Sequence, residues 1–219
     1  MLARLLISAA LSLTTLVAHA AAAPAAPASA AAVQPDQIVR ETTEHMRDLI
    51  RANHDKYVAH QDEFYKVVDE VLVPRFDVQA ITQSVLGRNS RSASAEQKQK
   101  FTDAFKLMLI RSYADTLLQN YDSVKTDWAP LRIGADATDT TVHATLMRKA
   151  GQPVQIGFSV HKVDNDWKIY DVTVEAISLV ANFRSQINAE IKRTGLDDVI
   201  ARMEKGESFK PVQSSAGGS

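Results

Sequence analysis

Cysteine is absent from all 219 residues, which excludes disulfide staples, thiol nucleophiles and cysteine-bearing metal sites and leaves stability to packing alone. Neither charge sign is in excess: 25 Lys and Arg stand against 26 Asp and Glu, so the basic footprint of a nucleic-acid-binding protein is missing. No G-x-S-x-G or H-E-x-x-H segment occurs in the chain, which removes the serine elbow of the α/β-hydrolases and the zincin signature. A nucleotide-binding motif is lacking too. Long apolar runs are reduced to one, the thirteen residues Leu5–Val17, short of the roughly twenty that cross a bilayer.

That single run follows Arg4 and precedes Ala18-His19-Ala20, the form of a secretory signal with a small-x-small cleavage site. Residues 1–20 are therefore expected to be removed on export, and the Ala/Pro-rich stretch 21–32 to act as a disordered linker. One α+β domain is expected over 33–209, followed by a disordered tail, 210–219.

What is present is a change of period. Ile38, Thr42, Met46 and Leu49 mark a helix over about residues 36–53. A second helix from Gln61 carries Phe64, Val67, Val68, Val71 and Leu72 and stops at Pro74. Asp77 caps a short helix ending at Gly87, and Ser94 with Gln97 forms a capping box for the longest, Ala95 to about Asn120. From Val124 the period falls to two: Val124–Trp128, Thr140–Arg148, Pro153–His161 and a strand from Asp166, with Asp164 and Asn165 as turn residues. Tyr170, Val172, Val174 and Ala176 share a face in this reading, and a helix from Leu179 to Gly195 follows almost without a loop. Short turns between strands make an antiparallel meander of about four strands, and helices before and after it make the class α+β.

Candidate chemistry is sparse. His54 and His60 are six apart, a spacing that suits neither one helical face nor a metal clip, and His143 and His161 read as exposed sheet positions. Asp171 and Glu175 are the carboxylates best placed for acid–base work, but their face is opposite to Val172 and Val174. Arg75 with Asp77, and Arg184, read as structural ion pairs or partner-facing charges. No catalytic residue, cofactor or metal is expected. The strands and helices instead supply an excess of apolar positions, and periodicity alone leaves open whether these fill a solid core or line a hollow.

Two segments, Pro74–Tyr121 (PRFDVQAITQSVLGRNSRSASAEQKQKFTDAFKLMLIRSYADTLLQNY) and Trp167–Gly195 (WKIYDVTVEAISLVANFRSQINAEIKRTG), resemble in their order the MlaC family of periplasmic phospholipid-carrier proteins, the toluene-tolerance auxiliary components. The chain departs from that pattern at Arg88-Asn89-Ser90, where an aromatic is common, at Ala176, where glycine is usual, and at Phe183, often tyrosine. The resemblance implies an NTF2-like fold, a curved antiparallel sheet wrapped by N- and C-terminal helices around an apolar cavity. It also implies a monomer in the periplasm that shuttles phospholipid between an outer-membrane lipoprotein complex and an inner-membrane ABC transporter with its lipid-binding subunit. On this reading Val142, Leu146, Val154, Ile156, Phe158, Val172 and Val174 line the cavity from the sheet. Leu86, Phe105, Met108, Leu109, Tyr113, Leu117, Val180 and Phe183 line it from the helices. An NTF2-like isomerase or dehydratase and a solid-core adaptor bridging membrane complexes are the competing expectations.

Overall fold

A computed structural model describes residues 34–134, 136–148 and 151–209 of the chain. The expected signal, linker and tail lie outside the described residues. Pro35 sits in the first turn of α1 (Pro35–Ala59), where its missing N–H costs nothing. The helix runs past the expected end because Asn53 kinks it rather than stopping it: its backbone leaves helical angles and its side-chain amide donates to the Leu49 carbonyl at 3.0 Å. Beyond the kink, Tyr57 reaches the Phe64 ring of α2 (Gln61–Val71) at a centroid distance of 5.1 Å.

A single 3₁₀ turn at Val73–Arg75 leads to α3 (Val78–Leu86), capped by Asp77 through its Oδ1, which accepts from the Ala80 N–H at 2.8 Å. Gly87 follows with φ of +56°, which favours glycine, and a Cβ there would stand 3.0 Å from the Arg184 Nε, close enough that the arginine would have to shift. One short helical turn, α4 (Asn89–Ser92), precedes α5 (Ala95–Asn120), which starts in the capping box Ser94/Gln97 with both reciprocal bonds formed.

Five antiparallel strands then pair in sequence order: β1 (Val124–Trp128), β2 (Asp139–Arg148), β3 (Val154–Val163), β4 (Asp166–Val174) and a two-residue β5 (Ile177–Ser178). The fifth strand was not foreseen; it exists because the chain turns tightly at Glu175-Ala176 and returns to pair Ile177 with Val174. Helix α6 (Leu179–Thr194) and α7 (Leu196–Glu204) close the domain.

Two expectations about β4 change. A bulge shifts the register between Ser159 and Val160, so that Val160 faces Ile169 while Ser159 faces Asp171. Tyr170 is therefore turned away from Val172; its ring meets His161 at 4.8 Å and its hydroxyl donates to Asp139, while Trp167 and Ile169 are the buried residues on this strand. Ala176 lies beyond the strand in the turn, where Glu175 and Ala176 both have positive φ, 49° and 63°. Side chains with a Cβ are strained there. Glu175 offsets part of that strain by accepting the Gln155 N–H at 2.6 Å. Ala176→Gly is expected to raise unfolding free energy by about 0.5–1 kcal/mol in a denaturant titration.

Three separate apolar clusters hold the domain rather than one. The first joins α3, α5, α6 and α7 around Phe101, Phe105, Ile187 and Met203. A second joins α1, α2 and the C-terminal half of α5 around Ile50, Phe64 and Leu118. The third lies between the start of α1 and the sheet, with Ile38, Val39, Val142, Val160, Trp167 and Ile169. Helices α6, α3 and α1 lie against the sheet, and α5 packs among helices instead.

Candidate functional site: an uncovered apolar face between sheet and helices

A domain of this size usually has one contiguous core with satellites. Here several apolar side chains at the margins of the three clusters are only partly covered. On α5 they are Leu109, Tyr113 and Leu117, spaced four apart and hence on one stripe. On the sheet they are Leu146, Ile156, Phe158, Val172 and Val174, with Val180 at the start of α6. Register places Ile156 opposite Val174 and Phe158 opposite Val172, so these four form one continuous patch across β3 and β4.

Tyr113 reports on the surroundings of this surface. Its side chain is 38% accessible, yet burial alone pushes its phenol above the ordinary tyrosine range. Tyr113 is thus an exposed apolar ring that is still partly shielded from water. Among the described residues its hydroxyl has no hydrogen-bond partner.

The fifteen positions expected to line a cavity divide into two kinds. Leu109, Tyr113, Leu117, Leu146, Ile156, Phe158, Val172, Val174 and Val180 keep accessible surface. Leu86, Phe105, Met108, Val142, Val154 and Phe183 are buried. Four of those, Leu86, Phe105, Met108 and Phe183, belong to the helical cluster, where Phe105 stacks on Phe101 at 5.6 Å and meets Phe183 edge-on at 5.3 Å. Packing between helices consumes them, so they do not present the open lining expected of them.

Polar groups are engaged elsewhere. Asp171 accepts from the N–H groups of Val172 and Val180, which ties β4 to the start of α6, and Glu175 holds the turn already described. His161 is half-buried rather than exposed, and its Nε2 lies 2.9 Å from Asp77 Oδ2, so Asp77 pairs with this histidine and not with Arg75. The period-two pattern could not reveal that link, because it joins a helix cap to a strand 84 residues away. Asp77→Ala removes both the cap and this bond and should lower unfolding free energy by about 1–2 kcal/mol, read from chemical denaturation. Ser159 and Lys162 have an S-x-x-K spacing, but on a strand they fall on opposite faces and cannot act together. Among the described residues no group of three or more His, Asp or Glu could hold a metal ion, and no helix is long and apolar enough to cross a membrane.

Two open grooves lie on the surface. One, of about 430 Å³, is lined by Arg47, Arg51, Tyr121, Asp122, Ser123, Val124, Lys125, Met147 and Arg148. The other, about 440 Å³, is lined by Ile38, Glu41, Thr42, His45, Val71, Arg75 and Asp166.

The MlaC protein family model matches residues 40–205, from within α1 to just past the end of α7. The chain belongs to the MlaC family. Toluene tolerance protein Ttg2D of Pseudomonas putida is 30% identical over 169 residues, covering 76% of this chain and 77% of that one. The intermembrane phospholipid transport system binding protein MlaC of Haemophilus influenzae is 23% identical over 181 residues, 81% of this chain and 84% of its own. Among solved structures, the phospholipid-binding protein of Ralstonia solanacearum, determined in complex with a phospholipid, superposes with a TM-score of 0.72 at 29% identity. The match covers 80% of this chain and 97% of that one. For an MlaC-family chain the partly covered apolar residues of α5 and of β2, β3 and β4 are the surfaces of interest, because packing leaves part of each accessible.

Proposed function

We propose that this chain is a periplasmic phospholipid-binding carrier of the Mla/Ttg2 transport system, taking acyl tails against the apolar face between α5 and the sheet and leaving the polar head in water. The observation that carries the reading is the likeness, at a TM-score of 0.72 and 29% identity over 80% of this chain, to a phospholipid-binding protein determined with a phospholipid, beside the half-covered patch Ile156, Phe158, Val172 and Val174.

The physical need is large. Each methylene moved into water costs about 0.8 kcal/mol, so a sixteen-carbon tail costs roughly 12 kcal/mol and a pair about double. Free diffusion of such a lipid through an aqueous compartment is correspondingly slow, and a carrier must cover the tails. The head, already polar, needs no enclosure. In this reading Leu109, Leu117, Leu146 and Val180 complete the contact surface, the buried residues behind them hold its shape, and Met108 supplies an adaptable wall.

The chain performs no chemistry of its own: the carboxylates an isomerase or dehydratase would need are committed to backbone amides. It acts as a monomer that alternates between an outer-membrane lipoprotein complex and an inner-membrane ABC transporter with its lipid-binding subunit.

Organic extraction of the purified protein, followed by mass spectrometry, tests the reading. Phospholipid near one molecule per chain is the expected result. A folded protein that carries none, and takes none from phospholipid vesicles, would leave the solid-core adaptor as the better account.

A further inference from the structure

The inner face of β2 reads Val142, Ala144, Leu146, Arg148 at steps of two residues, passing from buried aliphatic to exposed cation along about 20 Å of strand. Its register partners on β1 are all half-buried: Trp128 opposite Ala144, Thr126 opposite Leu146, Val124 opposite Arg148. Helix α1 adds Arg47, whose guanidinium donates to the Thr126 hydroxyl at 3.4 Å and so stands on this same face. This face of β2 ends at Arg148, two residues beyond Leu146, and Arg148, Val124 and Arg47 all line the 430 Å³ groove.

Four cations line that groove, Arg47, Arg51, Lys125 and Arg148, against one carboxylate, Asp122. Two of the four are occupied. Arg51 pairs with Asp48 at 2.9 Å and with Asp122 at 3.5 Å, and Lys125 lies 3.6 Å from Asp127. Arg47 has only its bond to Thr126, and Arg148 has neither an ion pair nor a hydrogen bond among the described residues. Two guanidinium groups without a carboxylate partner among the described residues thus line one groove, in a protein whose total charge is −1. An anion there supplies the missing partner, and guanidinium forks match the paired oxygens of a phosphate.

We infer that Arg47 and Arg148 form the site for the phosphate of a phospholipid head group, at the end of the apolar face that takes its tails. This rests on the carrier reading above and adds a location and a chemistry for the head. Met147, Val124 and Tyr121, also in the groove, offer apolar contact to the glycerol end of the ligand. Recognition falls on the phosphate that all glycerophospholipids share, so the site favours any of them over the same tails without phosphate.

The test uses the mature protein freed of lipid in detergent. Binding of a fluorescent phosphatidylglycerol is compared with binding of the diacylglycerol bearing identical chains, for wild type and for the double substitution Arg47→Gln/Arg148→Gln. Circular dichroism confirms that the variant folds, as expected for two accessible side chains. Wild type should prefer the phospholipid by about tenfold or more, and the variant should lose that preference while holding diacylglycerol unchanged. A preference that survives in the folded variant, or an equal fall for both lipids, overturns the site but leaves the carrier standing. Failure of wild type to bind either lipid overturns both. Inorganic phosphate supplies the remaining arm: if it raises the melting temperature of wild type through these two arginines and lipid preference does not depend on them, the groove is a free-anion site and the inference fails.

Discussion

Val174→Asp is expected to fold and to be purified without phospholipid. Val174 lies at the end of β4 opposite Ile156, with its side chain half accessible, so the substitution leaves the ladder and the three clusters intact. In the empty protein the carboxylate meets water and costs little. With tails present it would be desolvated without a partner, a cost of several kcal/mol. About 4 kcal/mol corresponds to a thousandfold loss in affinity, enough to take lipid below detection in the extract. Val174→Ile, which keeps an apolar surface there, should retain it. A folded Asp variant carrying lipid at the wild-type ratio would remove this patch from the proposed contact surface.

Phe105→Ala separates the wall from the lining. Phe105 is 1% accessible, stacked on Phe101 and edge-on to Phe183, within the cluster that joins four helices. Truncating such a ring costs about 3–5 kcal/mol through lost transfer energy and the cavity left behind. In a domain of this size that lowers the melting temperature by roughly 10–15 °C. The fraction that stays folded should still carry lipid. Near wild-type stability with lipid lost would instead mean that Phe105 touches the ligand directly.

The element boundaries show which information is local. Helices α2, α3, α5 and α6 and strands β1 to β4 stand close to where caps and periodicity put them, because a capping box or a two-residue period depends on neighbours within one turn. Departures arise where distant contacts win. Helix α1 outlasts Asn53 because Tyr57 gains Phe64, and α7 forms because Val199, Ile200 and Met203 bury against α5. The bulge that reverses Tyr170 is set by pairing with β3, and β5 exists only because a strained Glu175-Ala176 turn brings Ile177 back to Val174. Arg47 and Arg148 lie on neighbouring elements roughly one hundred residues apart, and nothing in either local pattern marks them as a pair.

By itself the sequence determined the α+β order, the meander, the apolar and polar faces of most strands and helices, and the resemblance to MlaC. It determined these because each depends on short-range periodicity or on the order of motifs along the chain. Which apolar residues remain uncovered was decided only by tertiary structure. Packing consumes Phe105, Met108 and Phe183 between helices and spares Leu109, Tyr113, Ile156 and Val174, although all seven look alike as hydrophobic positions. Whether a side chain closes a core or faces an open space depends on how far apart two layers come to rest, and that distance is set by the sum of all contacts, not by any one segment.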